Sequence, residues 1–192
     1  MQQPERRLNP ASSQGISLVE VLVSLLILAA GIVTVAGLQA QALRSAYEAG
    51  LQSTALQIAG ELAERMRPQQ VRRGNSAVTD AFDGYSHDAR IASPAQPGHQ
   101  CDTDMCNPEQ LAQFDLYQTA VRLHEDLPGG RIRICRDTRP WDTDTERLRW
   151  ECDPGAAGEG PLFIKIGWQP RERRGAAQQP DAPPALALLV DR

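Results

Sequence analysis

The chain has 192 residues, of which 41% are hydrophobic, 23% charged and 5% aromatic, with a formal net charge of −4. That length holds one ordinary domain with a real core and leaves residues over for further segments. The mildly acidic balance argues against general nucleic-acid binding, and all the basic residues are arginine except Lys165.

Residues 1–15, MQQPERRLNPASSQG, are polar and set Arg6 and Arg7 against one acid, Glu5. Residues 16–38 then read ISLVEVLVSLLILAAGIVTVAGL, and Glu20 is their single charge. About 20 apolar residues suffice to cross the hydrocarbon layer as a helix. Arg6 and Arg7 keep the leader in the cytosol, so the C-terminal part is exported. Three ordinary readings compete. A secretory signal cut after Ala40-Gln41-Ala42 normally has an apolar region of about 7–15 residues, and this run is longer and carries an acid near its start. An uncleaved signal anchor fits the length but gives Glu20 no role. A core helix of a soluble protein is disfavoured by the length. Glu20 separates them, because a carboxylate inside a membrane helix costs about 2.5–3.5 kcal/mol and is by default functional and partnered.

Gly15-Ile16-Ser17-Leu18-Val19-Glu20, heading a long apolar helix, resembles the type III signal of type IV prepilins. The resemblance implies that a prepilin peptidase cuts after Gly15 on the cytoplasmic side and N-methylates Ile16, so that the anchor survives processing. Many family members have Phe at the first mature position, and this chain has Ile16. A physical case for Glu20 stands beside the resemblance. Cutting after Gly15 creates an α-amino group on Ile16, four residues from Glu20. In a bundle of such helices, Glu20 of one subunit can neutralise the amine of a neighbour. At ~4 Å and an effective dielectric of about 20, that attraction is on the order of 4 kcal/mol before desolvation.

The helical pattern runs on past the apolar segment. Leu43, Tyr47, Leu51, Ala55, Ile58, Leu62 and Met66 form one stripe at helical spacing, with Arg44, Glu48, Gln52, Gln57, Glu61 and Glu64 on the other faces. Pro68 is expected to close the element, giving one helix over 16–67. Residues 68–106 read as a connecting region rich in Gly, Ser, Pro, Ala and Asp.

Four cysteines, Cys101, Cys106, Cys135 and Cys152, lie beyond the apolar segment and so face an oxidising compartment. An even count favours disulfides, with three connectivities possible, and nearness in sequence pairs Cys101 with Cys106 and Cys135 with Cys152. The spacings are not those of zinc knuckles, and His87, His99 and His124 are not clustered, so no metal is expected. Asn107-Pro108-Glu109-Gln110 is a helix start, with Asn107 as N-cap, Pro108 at the first position and Gln110 closing a capping box. That helix reaches about Asp126, where Leu127-Pro128-Gly129-Gly130 ends it. The period then switches to two. Residues 131–135, 147–152, 162–168 and 185–190 predict four strands in an antiparallel meander.

The expectation is an α+β chain of the type IV pilin fold, a long N-terminal helical spine carrying an antiparallel four-stranded sheet. Its segments are a cleaved leader (1–15), a transmembrane half-helix (16–38), an amphipathic half-helix (39–67), the connecting region (68–106) and a globular domain (107–192). The order Leu-Pro-Gly-Gly, strand, Cys135, loop, Trp150, Cys152 and a strand ending in Trp168 resembles the PilV group of minor pilins. That resemblance implies a minor pilin at or near a pilus tip that primes assembly and supports adhesion and twitching. Its implied partners are the prepilin peptidase, other minor pilins, a tip adhesin, the major pilin and the inner membrane. A minor pseudopilin of a type II secretion system is the alternative within the superfamily. A membrane-anchored periplasmic binding module is the alternative outside it. Asp142, Asp144 and Glu146 lack the glycine and distal Glu of a calcium loop. Arg171, Arg173 and Arg174 sit in a Pro- and Gln-rich stretch that reads as a surface loop rather than a nucleic-acid contact. No phosphate loop, nucleophile elbow or His/Asp/Ser grouping points to an enzyme, and no cofactor is expected.

Overall fold

A computed structural model describes residues 17–72, 82–156, 158, 160–169 and 182–191. The chain divides into two compact units, Met1–Ser45 and Ala46–Arg192. Helix α1 (Leu18–Arg72) begins in the first and ends in the second. It does not stop at Pro68 as its sequence suggests. A proline in a helix removes one backbone donor and crowds the preceding turn, and here the helix passes through it for one more turn.

In the second unit the remaining elements are β1 (Ser86–Asp88), α2 (Pro108–Asp126), β2 (Arg131–Arg136), β3 (Trp141–Asp142), β4 (Arg147–Leu148), β5 (Leu162–Gly167) and β6 (Leu186–Asp191). The main sheet has the order β1-β2-β5-β6 with every pair antiparallel. The four-stranded α+β architecture is therefore present, but its membership differs from the sequence expectation. Residues 147–152 are not in this sheet. Arg147–Leu148 instead pair with Trp141–Asp142 as a separate hairpin. The fourth place is taken by Ser86–Asp88, from the stretch read as connecting loop, in register Ser86↔Arg133, His87↔Ile132 and Asp88↔Arg131.

The core forms where the α1 stripe meets the inner face of this sheet and one side of α2. Leu51, Ala55, Ile58, Leu62 and Met66 pack with Ile132, Ile134, Leu162, Ile164 and Ile166 and with Ala112, Leu116 and Leu123. Each fully buried aliphatic side chain contributes about 1.5–3 kcal/mol. The stripe's first two members stay exposed, Leu43 at 72% and Tyr47 at 47%. Periodicity predicts a common face, and burial begins only at Leu51.

Helix α2 starts with a reciprocal cap. Gln110 N donates to Asn107 Oδ1 at 2.8 Å, and Asn107 N donates to Gln110 Oε1 at 2.9 Å. Its end explains the Leu-Pro-Gly-Gly run. Gly129 sits at φ +61°, and a Cβ on Gly130 would lie 2.8 Å from Leu123 Cγ and 2.9 Å from Leu123 O. Only glycine lets the chain turn so closely under the helix and enter β2. Two ion pairs fasten α2 to α1: Arg65 with the buried Asp115 at 2.9 Å, and Arg122 with Glu61.

The outer face of the sheet is covered too. On β5, Ile164 and Ile166 point to the core, so Lys165 and Gly167 point away, yet both are buried. The cover is the excursion between β2 and β5. A Cβ on Gly167 would meet the Trp150 ring at 2.8 Å, and Trp150 Nε1 donates to Ala182 O at 2.6 Å. The alternation in 147–152 therefore reflects a segment laid across the sheet, not a strand within it.

Candidate functional site

Within the first unit, every described residue from Ser17 to Leu43 is exposed. The exposed side chains include Leu18, Val19, Leu22, Leu25, Leu26, Ile32 and Val33, and α1 is long and apolar enough to cross a membrane. Two of its hydroxyls are satisfied within the helix. Ser24 Oγ donates to Glu20 O at 2.8 Å, and Thr34 Oγ1 donates to Ala30 O at 2.6 Å. That is what hydrocarbon requires of a hydroxyl. Glu20 lies in the first turn, where the positive end of the helix dipole favours an acid. Among the described residues its carboxylate has no ion-pair partner, so it is an exposed charge in an otherwise apolar surface. Gly15 and Ile16, the expected cut site and first mature residue, lie outside the described residues, as do Arg171, Arg173 and Arg174.

The second unit brings the four cysteines together in pairs. Cys101 is bonded to Cys106 with Cα atoms 5.6 Å apart, directly before the Asn107 cap. Cys135 is bonded to Cys152 at 6.2 Å, and so ties the end of β2 to the segment that covers the sheet. Beside this second bridge lies an ion pair that the sequence reading did not anticipate. Lys165 Nζ donates to Asp137 Oδ2 at 2.5 Å and to Glu151 O at 2.7 Å, and both side chains are fully buried. Asp137 Oδ1 accepts from Arg139 N at 2.9 Å and Asp153 N at 3.2 Å. Burial pushes the Lys165 ammonium below its ordinary value, against the pull of Asp137. The signal in the sequence was the single lysine, set inside the apolar strand Leu162-Phe163-Ile164-Lys165-Ile166.

Among the described residues no three His, Cys, Asp or Glu side chains converge on a metal position. Asp142 serves the β3–β4 turn, its Oδ1 accepting from Asp144 N at 2.9 Å and Thr145 N at 3.4 Å. His87 has a buried Nε2 with no partner among the described residues, and burial lowers its pKa, with His124 nearby adding to the effect and Asp88 opposing it.

Residues 37–117 match the model of the Tt1218-like family, described as type IV pilin Tt1218. The matched stretch is less than half of the chain. It runs from within α1 through β1 and the Cys101–Cys106 loop into α2. No curated protein and no solved structure gives a match. The chain is thus similar to a type IV pilin from residue 37 of α1 to residue 117 of α2, and its α+β architecture is consistent with that fold.

Proposed function

We propose that this chain is a subunit of a type IV pilus-class filament, held in the membrane by α1 before assembly. The observation that carries the reading is the exposed apolar length of α1 with Glu20 as its lone charge, on a chain whose residues 37–117 match a type IV pilin family. A simple anchor needs the apolar length but gains nothing from the acid. A helix that must enter a bundle in register gains a charged partner, the amine created on Ile16. In this reading the prepilin peptidase cuts after Gly15, Ile16 is methylated, the second unit is exported from the inner membrane, and its four cysteines are oxidised there. The finer assignment is a minor pilin of the PilV type, placed near the tip with other minor pilins and an adhesin, priming assembly and supporting twitching. It rests on the Leu127–Gly130, Cys135, Trp150, Cys152 and Trp168 resemblance. The role is structural rather than enzymatic.

Processing is tested by the intact mass of protein extracted from membranes. The reading expects a mature chain starting at Ile16, carrying one methyl group. A chain starting at Leu43, just after Ala40-Gln41-Ala42, contradicts it and indicates a secretory signal.

A further inference from the structure

We propose that the depression lined by Arg131, Arg133, Arg147 and Arg149 is a binding site for a tetrahedral dianion of the phosphate class, presented free or as a monoester. Arg131 and Arg133 are the outward positions of β2, opposite the inward Ile132 and Ile134. Arg147 comes from β4 and Arg149 from the residue after its end. Together they line an open depression of about 320 Å³, whose acids among the described residues are Asp142 and Glu151.

Charge is the first argument. Four guanidiniums against two carboxylates leave a surplus of two positive charges, the complement of a dianion. Among the described residues, none of the four arginines makes a salt bridge to a carboxylate. The acids nearby are otherwise engaged. Asp88, across from Arg131 in the sheet and attracted by it, is held by Arg90 at 2.5 Å, and Asp142, attracted by Arg149, accepts from its own turn. Like charges so placed repel, and an anion relieves that repulsion.

The second argument is a missing acceptor. Arg149 Nε is buried and has no acceptor among the described residues. A buried donor left unpaired pays its desolvation in full, and the Arg149 side chain that carries it lines the depression. Planar guanidinium donors match phosphate oxygens in a way that a point charge does not.

The third argument narrows the ligand. Trp150 is 7% exposed, carries Arg131 over its ring at 4.3 Å and spends its N–H on Ala182 O. Its ring therefore offers no face on which a base could stack, which single-stranded nucleic acid would use. Recognition falls to the polar lining, the four guanidiniums and Thr145. The site lies wholly in the second unit and does not depend on filament assembly.

The test is calorimetric titration of the full chain in detergent with inorganic phosphate, at an ionic strength held constant with chloride. The expected result is saturable one-to-one binding, weakened about tenfold or more by Arg133→Gln and by Arg149→Gln, as loss of a charged hydrogen bond predicts. Arg67→Gln, which removes only an exposed pair with Glu64 on α1, should leave the affinity unchanged. Glucose 6-phosphate and dimethyl phosphate separate the sources. Binding of the sugar phosphate as well as free phosphate indicates a monoester ligand, and binding of free phosphate alone indicates the free ion. Preference for the diester monoanion overturns the proposal. So does the absence of saturable binding, or an affinity unmoved by the Arg133 and Arg149 substitutions. If those two variants fail to fold, the exposed Arg147→Gln supplies the same comparison, with unfolding midpoint and both disulfides as the check on integrity.

Discussion

Replacing Lys165 by methionine removes the cation from a pair whose side chains are both fully buried, while nearly preserving the volume of the stem. Breaking a buried pair from one side costs about 3–5 kcal/mol, because the remaining charge is left in low dielectric. Asp137 keeps two backbone donors, Arg139 N and Asp153 N, so the lower end applies, about 3 kcal/mol. The Glu151 carbonyl also loses its donor. Against a total of about 5–15 kcal/mol, that is a large fraction of the stability. With a urea slope of about 1–3 kcal/mol/M, the midpoint should fall by roughly 1–3 M. Adding Asp137→Asn removes the stranded charge while keeping an acceptor for the two N–H groups. The double variant should therefore be less destabilised than the sum of the singles by about 1–3 kcal/mol. Urea unfolding of the full chain in detergent, followed by tryptophan fluorescence, reads all three. Additivity within about 0.5 kcal/mol, or a Lys165→Met midpoint equal to the parent's, refutes the coupling of the buried pair.

Three further outcomes follow from the same structure. Non-reducing peptide mapping of exported protein should yield Cys101–Cys106 and Cys135–Cys152 with no free thiol among them. Replacing Cys135 and Cys152 together by serine should cost about 3 kcal/mol, since the bridge closes a loop of roughly 16 residues in the chain-entropy account. The lowered pKa of His87 means that the unfolded chain binds its proton first as pH falls. Its neutral form is therefore favourable above the ordinary histidine value near 6.5, and stability declines as pH drops through that value toward the folded pKa. The fall in unfolding midpoint between pH 7 and pH 5 should shrink in His87→Gln, and an unchanged fall contradicts the assignment.

The helix, its apolar stripe, the Asn107 cap and the strands at 131–135 and 162–168 were legible because each rests on local chemistry. A capping box needs three residues, and a half-buried strand announces itself through alternation. What was not legible depended on contacts distant in sequence. Ser86–Asp88 is three residues of ordinary loop composition, and only the free edge of β2 makes it a strand. Residues 147–152 alternate like a sheet strand, yet Trp150 finds its place on Gly167 and Cys152 on Cys135, so the segment lies over the sheet. The burial of Lys165 on β5 could not be read locally either, because it depends on the segment that covers the outer face. Pro68 marks a probable helix end by local rules, and α1 runs through it. Glu20 stood out in the sequence because a charge amid 16–38 is anomalous by itself. The clustering of Arg131 and Arg133 with Arg147 and Arg149 could not stand out, since it exists only once the β3–β4 hairpin is placed beside β2.

Glu20→Val bears most directly on the claim that this chain is a filament subunit. In a simple anchor the substitution removes a carboxylate from hydrocarbon and favours insertion. In a filament it removes the partner of a neighbouring subunit's Ile16 amine and leaves that charge unpaired among packed helices. A deletion strain is complemented with the parent chain or with Glu20→Val at equal expression, and sheared surface fibres and twitching zones are scored. The account predicts normal membrane levels and normal cutting after Gly15, with incorporation into fibres lost and twitching reduced. Full rescue of fibres and twitching by Glu20→Val contradicts it.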